Sequence, residues 1–233
     1  DESSWNGTSN EVVDYSGAGN HGTRSGDATT SATAKYGRAG TFDGTNDYVA
    51  TSGTESDYAF HKTGVFTVQT WMKTTDYSAN TSYAIMGNNS GATPNKGFVF
   101  YYDNRSSVGS PQDIRLFISN GTSGSIYTSS DNAIANNNWH HLAVIYDHTV
   151  NPKARFFVDG IAAGTDNTSF SLGTGDAAHP LHIGVSGSTP SNDLNGQLDD
   201  IKIYNYARTA EQIMADYSEG PPSVAWWKLD DKS

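Results

Sequence analysis

The carboxylates are the residues here whose types and spacing could do chemistry. Asp199 and Asp200 stand together inside Gln197-Leu198-Asp199-Asp200-Ile201-Lys202-Ile203-Tyr204, a run with strand character. Aspartate is disfavoured in strands, and successive strand residues point to opposite faces. Strict alternation would therefore turn one of the two toward the core side, where a carboxylate requires a cation or several hydrogen-bond donors. Asp43 and Asp47, in the loop before Tyr48, form a second acidic pair. Hydrolysis of a glycosidic bond is a different matter. It needs two carboxylates roughly 5 to 9 Å apart, and on strands these sit at alternate positions. The glutamates, Glu2, Glu11, Glu55, Glu211 and Glu219, all lie outside the strongest strand patterns. Trp139-His140-His141 offers two imidazoles, but neighbours on a strand face opposite ways and do not converge easily on one ion. There is no Gly-x-Ser-x-Gly elbow or phosphate loop, and without cysteine there is no thiol nucleophile, thiolate metal site or disulfide. The residues point away from catalysis.

The elements that must position these side chains are strands. Gly, Ser, Thr, Asn and Asp are abundant in the 233 residues, the profile of short strands joined by tight turns, and aromatics at 12% supply core mass. Strand patterns fall at residues 48–51, 65–73, 83–86, 97–102, 114–118, 139–146, 154–158, 181–185 and 197–206. Asp159-Gly160 between Val158 and Ile161 is a two-residue hairpin signal. Residues 209–217 read as the one helix, opened by Thr209 and stopped before Gly220-Pro221-Pro222. The chain is long for one domain, yet all-β sandwiches of this size are commonly one unit.

A net charge of −11 disfavours nucleic acid and favours divalent cations. No apolar run is long enough to insert in a membrane. Asp1 in place of an initiator Met predicts that a leader has been removed or that the sequence is cut from a longer chain. Six Asn-x-Ser/Thr sequons, at Asn6, Asn80, Asn88, Asn104, Asn120 and Asn167, are expected by chance in so Asn/Ser/Thr-rich a chain. Trp5, Tyr77, Tyr101, Tyr102 and Tyr127 are possible aromatic platforms for a sugar, while Trp71 and Trp139 read as core. No spacing singles out a sugar site.

Several segments, in order, carry a resemblance. They are Asp14-Tyr15-Ser16-Gly17-Ala18-Gly19-Asn20-His21-Gly22, Ala39-Gly40-Thr41-Phe42-Asp43-Gly44, Phe66-Thr67-Val68-Gln69-Thr70-Trp71-Met72, Trp139-His140-His141-Leu142, Phe157-Val158-Asp159-Gly160 and Leu198-Asp199-Asp200-Ile201. Together they resemble the laminin-G-like jelly-roll family of the concanavalin A superfamily. The resemblance implies an all-β, two-sheet antiparallel jelly-roll sandwich over residues 1–222, with one short C-terminal helix. It also implies a structural Ca²⁺ held by Asp199, with Asp200, Asp14, Asn20 and Asp1 as neighbours. The implied function is a secreted, non-catalytic adhesion or glycan- and protein-binding module of a cell surface.

One departure stands out. In the family a strand similar to Trp227-Lys228-Leu229-Asp230 comes first, whereas here it comes last, and Asp230-Asp231-Lys232-Ser233 overlays Asp1-Glu2-Ser3-Ser4. Residues 223–233 thus resemble the start of another copy, as in a tandem array. The strand Val224, Ala225, Trp226, Trp227, Lys228 and Leu229 either closes its own sheet or is donated head-to-tail to a neighbour, which would build an extracellular filament.

Overall fold

The computed structural model describes residues 4–76, 81–89, 95–104, 112–130, 134, 137–187 and 192–218. Fourteen strands and two helices follow one another along these residues. The strands are β1 (Gly22–Ser25), β2 (Thr29–Ser31), β3 (Ala39–Asp43), β4 (Tyr48–Thr51), β5 (Val65–Lys73), β6 (Ser82–Gly87) and β7 (Lys96–Asp103). After these come β8 (Asp113–Asn120), β9 (Gly124–Thr128), β10 (His140–Asp147), β11 (Ala154–Val158), β12 (Ile161–Asp166), β13 (His182–Ile183) and β14 (Asn195–Tyr204). The helices are α1 (Phe60–Thr63) and α2 (Ala210–Ser218). The first sheet has the order β1-β4-β13-β6-β7-β8-β9 and the second β12-β11-β10-β5-β14-β3-β2. Every described pairing is antiparallel. The expected two-sheet sandwich is the architecture found.

Between the sheets lies one apolar core. Phe66, Val68 and Met72 of β5 meet Phe98, Phe100 and Tyr102 of β7 and Ile114, Leu116 and Ile118 of β8. Alternation along each strand selects this set. Phe60 of α1 stacks on Phe66 at 4.5 Å between ring centroids. Gly64 ends that turn in the left-handed region, at φ 70°, where a side chain would be strained.

The opposite face of β5 is also buried, with Thr67, Gln69 and Trp71 at most 1% exposed. There α2 covers the second sheet, and Ile213 packs with Ala143, Ile145 and Phe157. Tyr217 stacks on Trp71 at 5.5 Å, and the Lys35 ammonium lies 3.7 Å from the Trp71 ring centroid. Trp71 is therefore a core residue of a helix-covered outer layer. Trp139, expected as core, is half-buried just before β10. The helix begins as its sequence predicts. Thr209 Oγ1 accepts the Gln212 N–H and Gln212 Oε1 accepts the Thr209 N–H, a reciprocal capping box.

His141 sits in this layer between Trp71 and Tyr217. Burial holds its imidazole neutral, with the pKa lowered to about 4. An unfolded chain takes up that proton near pH 6.5, so between about pH 6.5 and 4 the unfolded state binds more protons and stability falls as pH falls. Asp47 and Asp199, whose carboxyls are pushed upward by burial, act in the opposite sense as they protonate. The full His141 contribution is on the order of 3 kcal/mol. His141→Phe should flatten the acid limb of a melting-temperature profile across that window.

Weakly patterned elements explain the differences from the sequence expectation. β1, β2 and β9, at or beside sheet rims, are short and rich in Gly, Ser and Thr, and β3 is half glycine, polar and acidic. Pairing with neighbours, not pattern, makes them strands. The 181–185 pattern shortens to two residues because Gly184 turns left-handed, at φ 89°, and donates its N–H to the Ile85 carbonyl.

Candidate functional site

The outer face of the first sheet carries a cavity of about 280 Å³. Alternation builds its floor. With Phe100, Tyr102, Ile114 and Leu116 turned inward, Tyr101 of β7 and Arg115 and Phe117 of β8 must turn outward. Register then joins them, since Tyr101 stands opposite Arg115 and Phe117 opposite Ile126 of β9. Tyr101, Phe117 and Ile126 form the apolar wall, and Asn89, Asn95, Asn192 and Ser82 the polar one.

The loops bring these amides in and tie them to the sheet. The Asn192 carbonyl accepts the Ala84 N–H at 2.8 Å, and its side-chain oxygen accepts the Ser82 hydroxyl at 3.3 Å. Asn89 is fixed by its N–H to the Ser186 carbonyl. The Asn95 side-chain oxygen is buried with no hydrogen-bond partner, an unsatisfied acceptor within the cavity wall. A tyrosine and a phenylalanine beside several carboxamides can stack on the C–H face of a sugar ring and exchange hydrogen bonds with its hydroxyls.

Arg115 anchors the floor. Its guanidinium donates to Asp103 at 3.0 Å and to Asp113 at 3.3 Å, and no member of this triad is more than 1% exposed. The two aspartates and the arginine form a buried ion-pair cluster under the cavity. Both carboxylates are engaged by the guanidinium.

Of the predicted platforms among the described residues, only Tyr101 lines the cavity. Tyr102 and Tyr127 are fully buried on the opposite face, where the Tyr127 and Tyr146 hydroxyls lie 3.2 Å apart, so the platform expectation is corrected for both. Trp5 is half-buried against Gly40 of β3, and Tyr77 lies outside the described residues. Phe117 and Arg115 were missed, although the pattern of β8 already placed them on the face opposite Ile114, Leu116 and Ile118. The asparagines come from loops and left no periodic signal.

The four described residues implied as Ca²⁺ ligands fall in two separate places. Asp14 and Asn20 share the loop before β1. One Asp14 oxygen accepts the Ser16 N–H at 2.8 Å and the other the Asn20 N–H at 2.9 Å. Asp199 and Asp200 belong to β14 in the other sheet. Strict alternation fails there because an extra residue bulges between the partners of Trp71 and Gln69, with Asp200 left-handed at φ 46°. Asp199 accepts the Tyr36 N–H at 2.7 Å and the Asp200 N–H at 2.8 Å, while Asp200 receives the Lys202 ammonium at 2.8 Å. Asp1 lies outside the described residues, and no three described His, Asp or Glu side chains gather as a metal group. These carboxylates act as acceptors for amides and an ammonium, which does not fit an open shell of oxygen ligands for calcium. Asp47, from the second acidic pair, is likewise engaged by the N–H groups of Asp27 and Asp43. The histidines diverge as expected, His140 to Asp159 at 2.8 Å and His141 beneath α2.

Three sequons are tied into the structure. Asn88 is fully buried, donating to the Tyr58 carbonyl and accepting from the Phe98 N–H. Asn104 is 8% exposed, and Asn120 donates to the Ser171 carbonyl. Asn6 and Asn167 are exposed, and Asn80 lies outside the described residues.

Two antiparallel sheets of seven strands, with loops gathered over an outer sheet face, define a lectin-like jelly roll. The Laminin_G_3 family model, described as concanavalin A-like lectin/glucanases superfamily, matches residues 43–214, and the chain belongs to this family. Among solved structures, it is similar to domain 4 of AbnA, a GH43 extracellular arabinanase from Geobacillus stearothermophilus, in complex with arabinotriose. The TM-score is 0.62 at 17% identity, over 85% of this chain and 88% of that one. It is also similar to a structure of botulinum neurotoxin type C, whose cell entry depends on interaction with two ganglioside molecules. There the TM-score is 0.67 at 15% identity, over 92% of this chain and 50% of that one. The receptor binding domain of botulinum neurotoxin type G gives a TM-score of 0.62 at 11% identity, over 92% and 50%. The chain spans about half the length of these toxin chains, and the likeness is one of fold. No curated protein sequence matches it.

Proposed function

We propose that this domain is a non-catalytic glycan-binding module that takes a neutral oligosaccharide in the cavity on the first sheet. The observation that carries the reading is the meeting of Tyr101 and Phe117 with Asn89, Asn95 and Asn192 in one cavity. The arabinotriose named with one structural neighbour, a neutral oligosaccharide, supports this ligand class. Charge selects among carbohydrates: a chain of net charge −11 disfavours uronic and sialic acids. The setting is a secreted cell-surface protein, in which such a module adheres to glycan or to glycosylated protein. A glycan array tests the reading. Binding is expected among neutral oligosaccharides; signal confined to acidic glycans, or none at all, would contradict it.

In this reading Lys202 and the backbone amides do for Asp199 and Asp200 what calcium was expected to do. A chelator should therefore leave the melting temperature unchanged, and a drop of several degrees would restore the metal.

A second reading, a structural subunit assembled head-to-tail through residues 223–229, is favoured by one observation. The half of β14 beyond Leu198 has a described partner on one side only. It concerns a different surface and is compatible with glycan binding.

A further inference from the structure

Strand β14 has ten residues. On one flank β5 pairs along it as far as Tyr204, whereas on the other β3 covers only Asn195 to Leu198. Residues 201–204 thus form a strand edge in the interior of a sheet, with no described neighbour on that flank. This edge is apolar toward the core, because Ile201 and Ile203 pack against the main cluster yet stay only partly buried. Exposed edges are usually short, charged or covered, since an open ladder recruits another strand.

We propose that this edge is filled by residues 223–229 of a second copy of the chain, paired antiparallel to β14. The inference rests on the head-to-tail reading and identifies its acceptor. The segment has the pattern the edge requires. Ala225, Trp227 and Leu229 alternate with Val224, Trp226 and Lys228, so an apolar face can meet Ile201 and Ile203 while Lys228 stays on the solvent side. Pairing Ala225 with Ile203 sets Trp227 opposite Ile201.

Chain length says whose strand it is. Tyr217, one residue before the end of α2, lies on the far side of the sheet, where its Cβ is 3.2 Å from the position a Cβ on Gly160 would occupy. Gly160 is in the turn joining β11 to β12. From β11 to the open flank of β14 is four strand spacings, roughly 19 Å. Tyr217 covers Trp71, which stands opposite Asp199, whereas an antiparallel strand must enter beside Tyr204, which stands opposite Thr67, about 13 Å further along. The diagonal is therefore roughly 23 Å. Six residue steps from Tyr217 to Ser223 reach only about 20 Å, and less through Pro221-Pro222. In this register a chain's own segment falls short of its own edge, but a neighbour's segment has no such tether. Donation of this kind is heterologous and propagates unless the rotation closes a ring.

The chain has no cysteine, so introduced thiols report cleanly. Full-length Ile203→Cys and Ala225→Cys variants, mixed and oxidised, should give a disulfide-linked dimer, and the double variant a ladder of crosslinked oligomers on a non-reducing gel. A double variant that closes only within one chain would overturn the proposal in favour of self-closure. Light scattering on the unmodified chain separates the two failures. If it stays monomeric at high micromolar concentration, the head-to-tail reading fails. If it assembles, but Ile203→Pro with a native circular dichroism spectrum assembles equally well and the thiols do not crosslink, only the acceptor edge is wrong.

Discussion

Replacing Arg115 by methionine is expected to destabilise the protein by about 3–5 kcal/mol, more than removal of any exposed ion pair. The reason is arithmetic of charge. Asp103, Asp113 and Arg115 are at most 1% exposed, and Asp103 stands directly opposite Asp113 across the β7–β8 ladder. Without the guanidinium, two carboxylates buried side by side lose the cation they share, and folding must desolvate them at greater cost or protonate one. The exposed Lys62–Asp176 pair, at 40% and 55% side-chain exposure, is the contrast; breaking it should cost under about 1 kcal/mol. Denaturant unfolding of Arg115→Met and Lys62→Met should show this difference. Equal midpoints would mean that the triad is solvated and not the anchor of the site's floor.

Trp71→Ala is expected to cost a similar amount, about 3–5 kcal/mol, by a different route. The indole is 1% exposed, although it points away from the main core. Its loss removes the stack with Tyr217, the edge contact with Tyr36 and the seat of the Lys35 ammonium. It also leaves a void between the sheet and α2. At this chain length a loss of that size lowers the melting temperature by roughly 10 °C. Hydrogen exchange should localise the damage, with amides of α2 losing protection first. Uniform loss across β7 and β8 would contradict the layered arrangement.

Much of the fold could be read from residue types, and the reason differs by element. β4, β5 and β11 were predicted with their observed limits, because β-branched and aromatic runs bounded by turn residues leave little choice. The Asp159-Gly160 hairpin was equally plain: both residues have positive φ, 52° and 73°, as a primed turn demands. The edges were not legible, since strands such as Thr29–Ser31 carry no apolar face and exist through pairing with β3. Nor was the bulge at Asp200, whose left-handed residue breaks the alternation that made one aspartate appear inward. The site was half visible. In Phe98-Val99-Phe100-Tyr101-Tyr102 both alternations are apolar, so sequence could not say whether Tyr101 or Tyr102 faced out. Only the cross-strand register decides it. Asn89, Asn95 and Asn192 reach the cavity from separate loops, a convergence that no local pattern encodes.

The central claim, that the outer face of the first sheet binds a neutral glycan through Tyr101 and its neighbouring amides, is tested most directly by calorimetric titration. A neutral oligosaccharide identified on the array would be titrated into the full-length chain and into Tyr101→Ala, both verified as folded. Loss of the ring should weaken binding by about 2 kcal/mol, roughly thirtyfold, with the melting temperature nearly unchanged because the side chain lies on the cavity wall and not in the core. Undiminished affinity in Tyr101→Ala would place the sugar elsewhere and contradict the account.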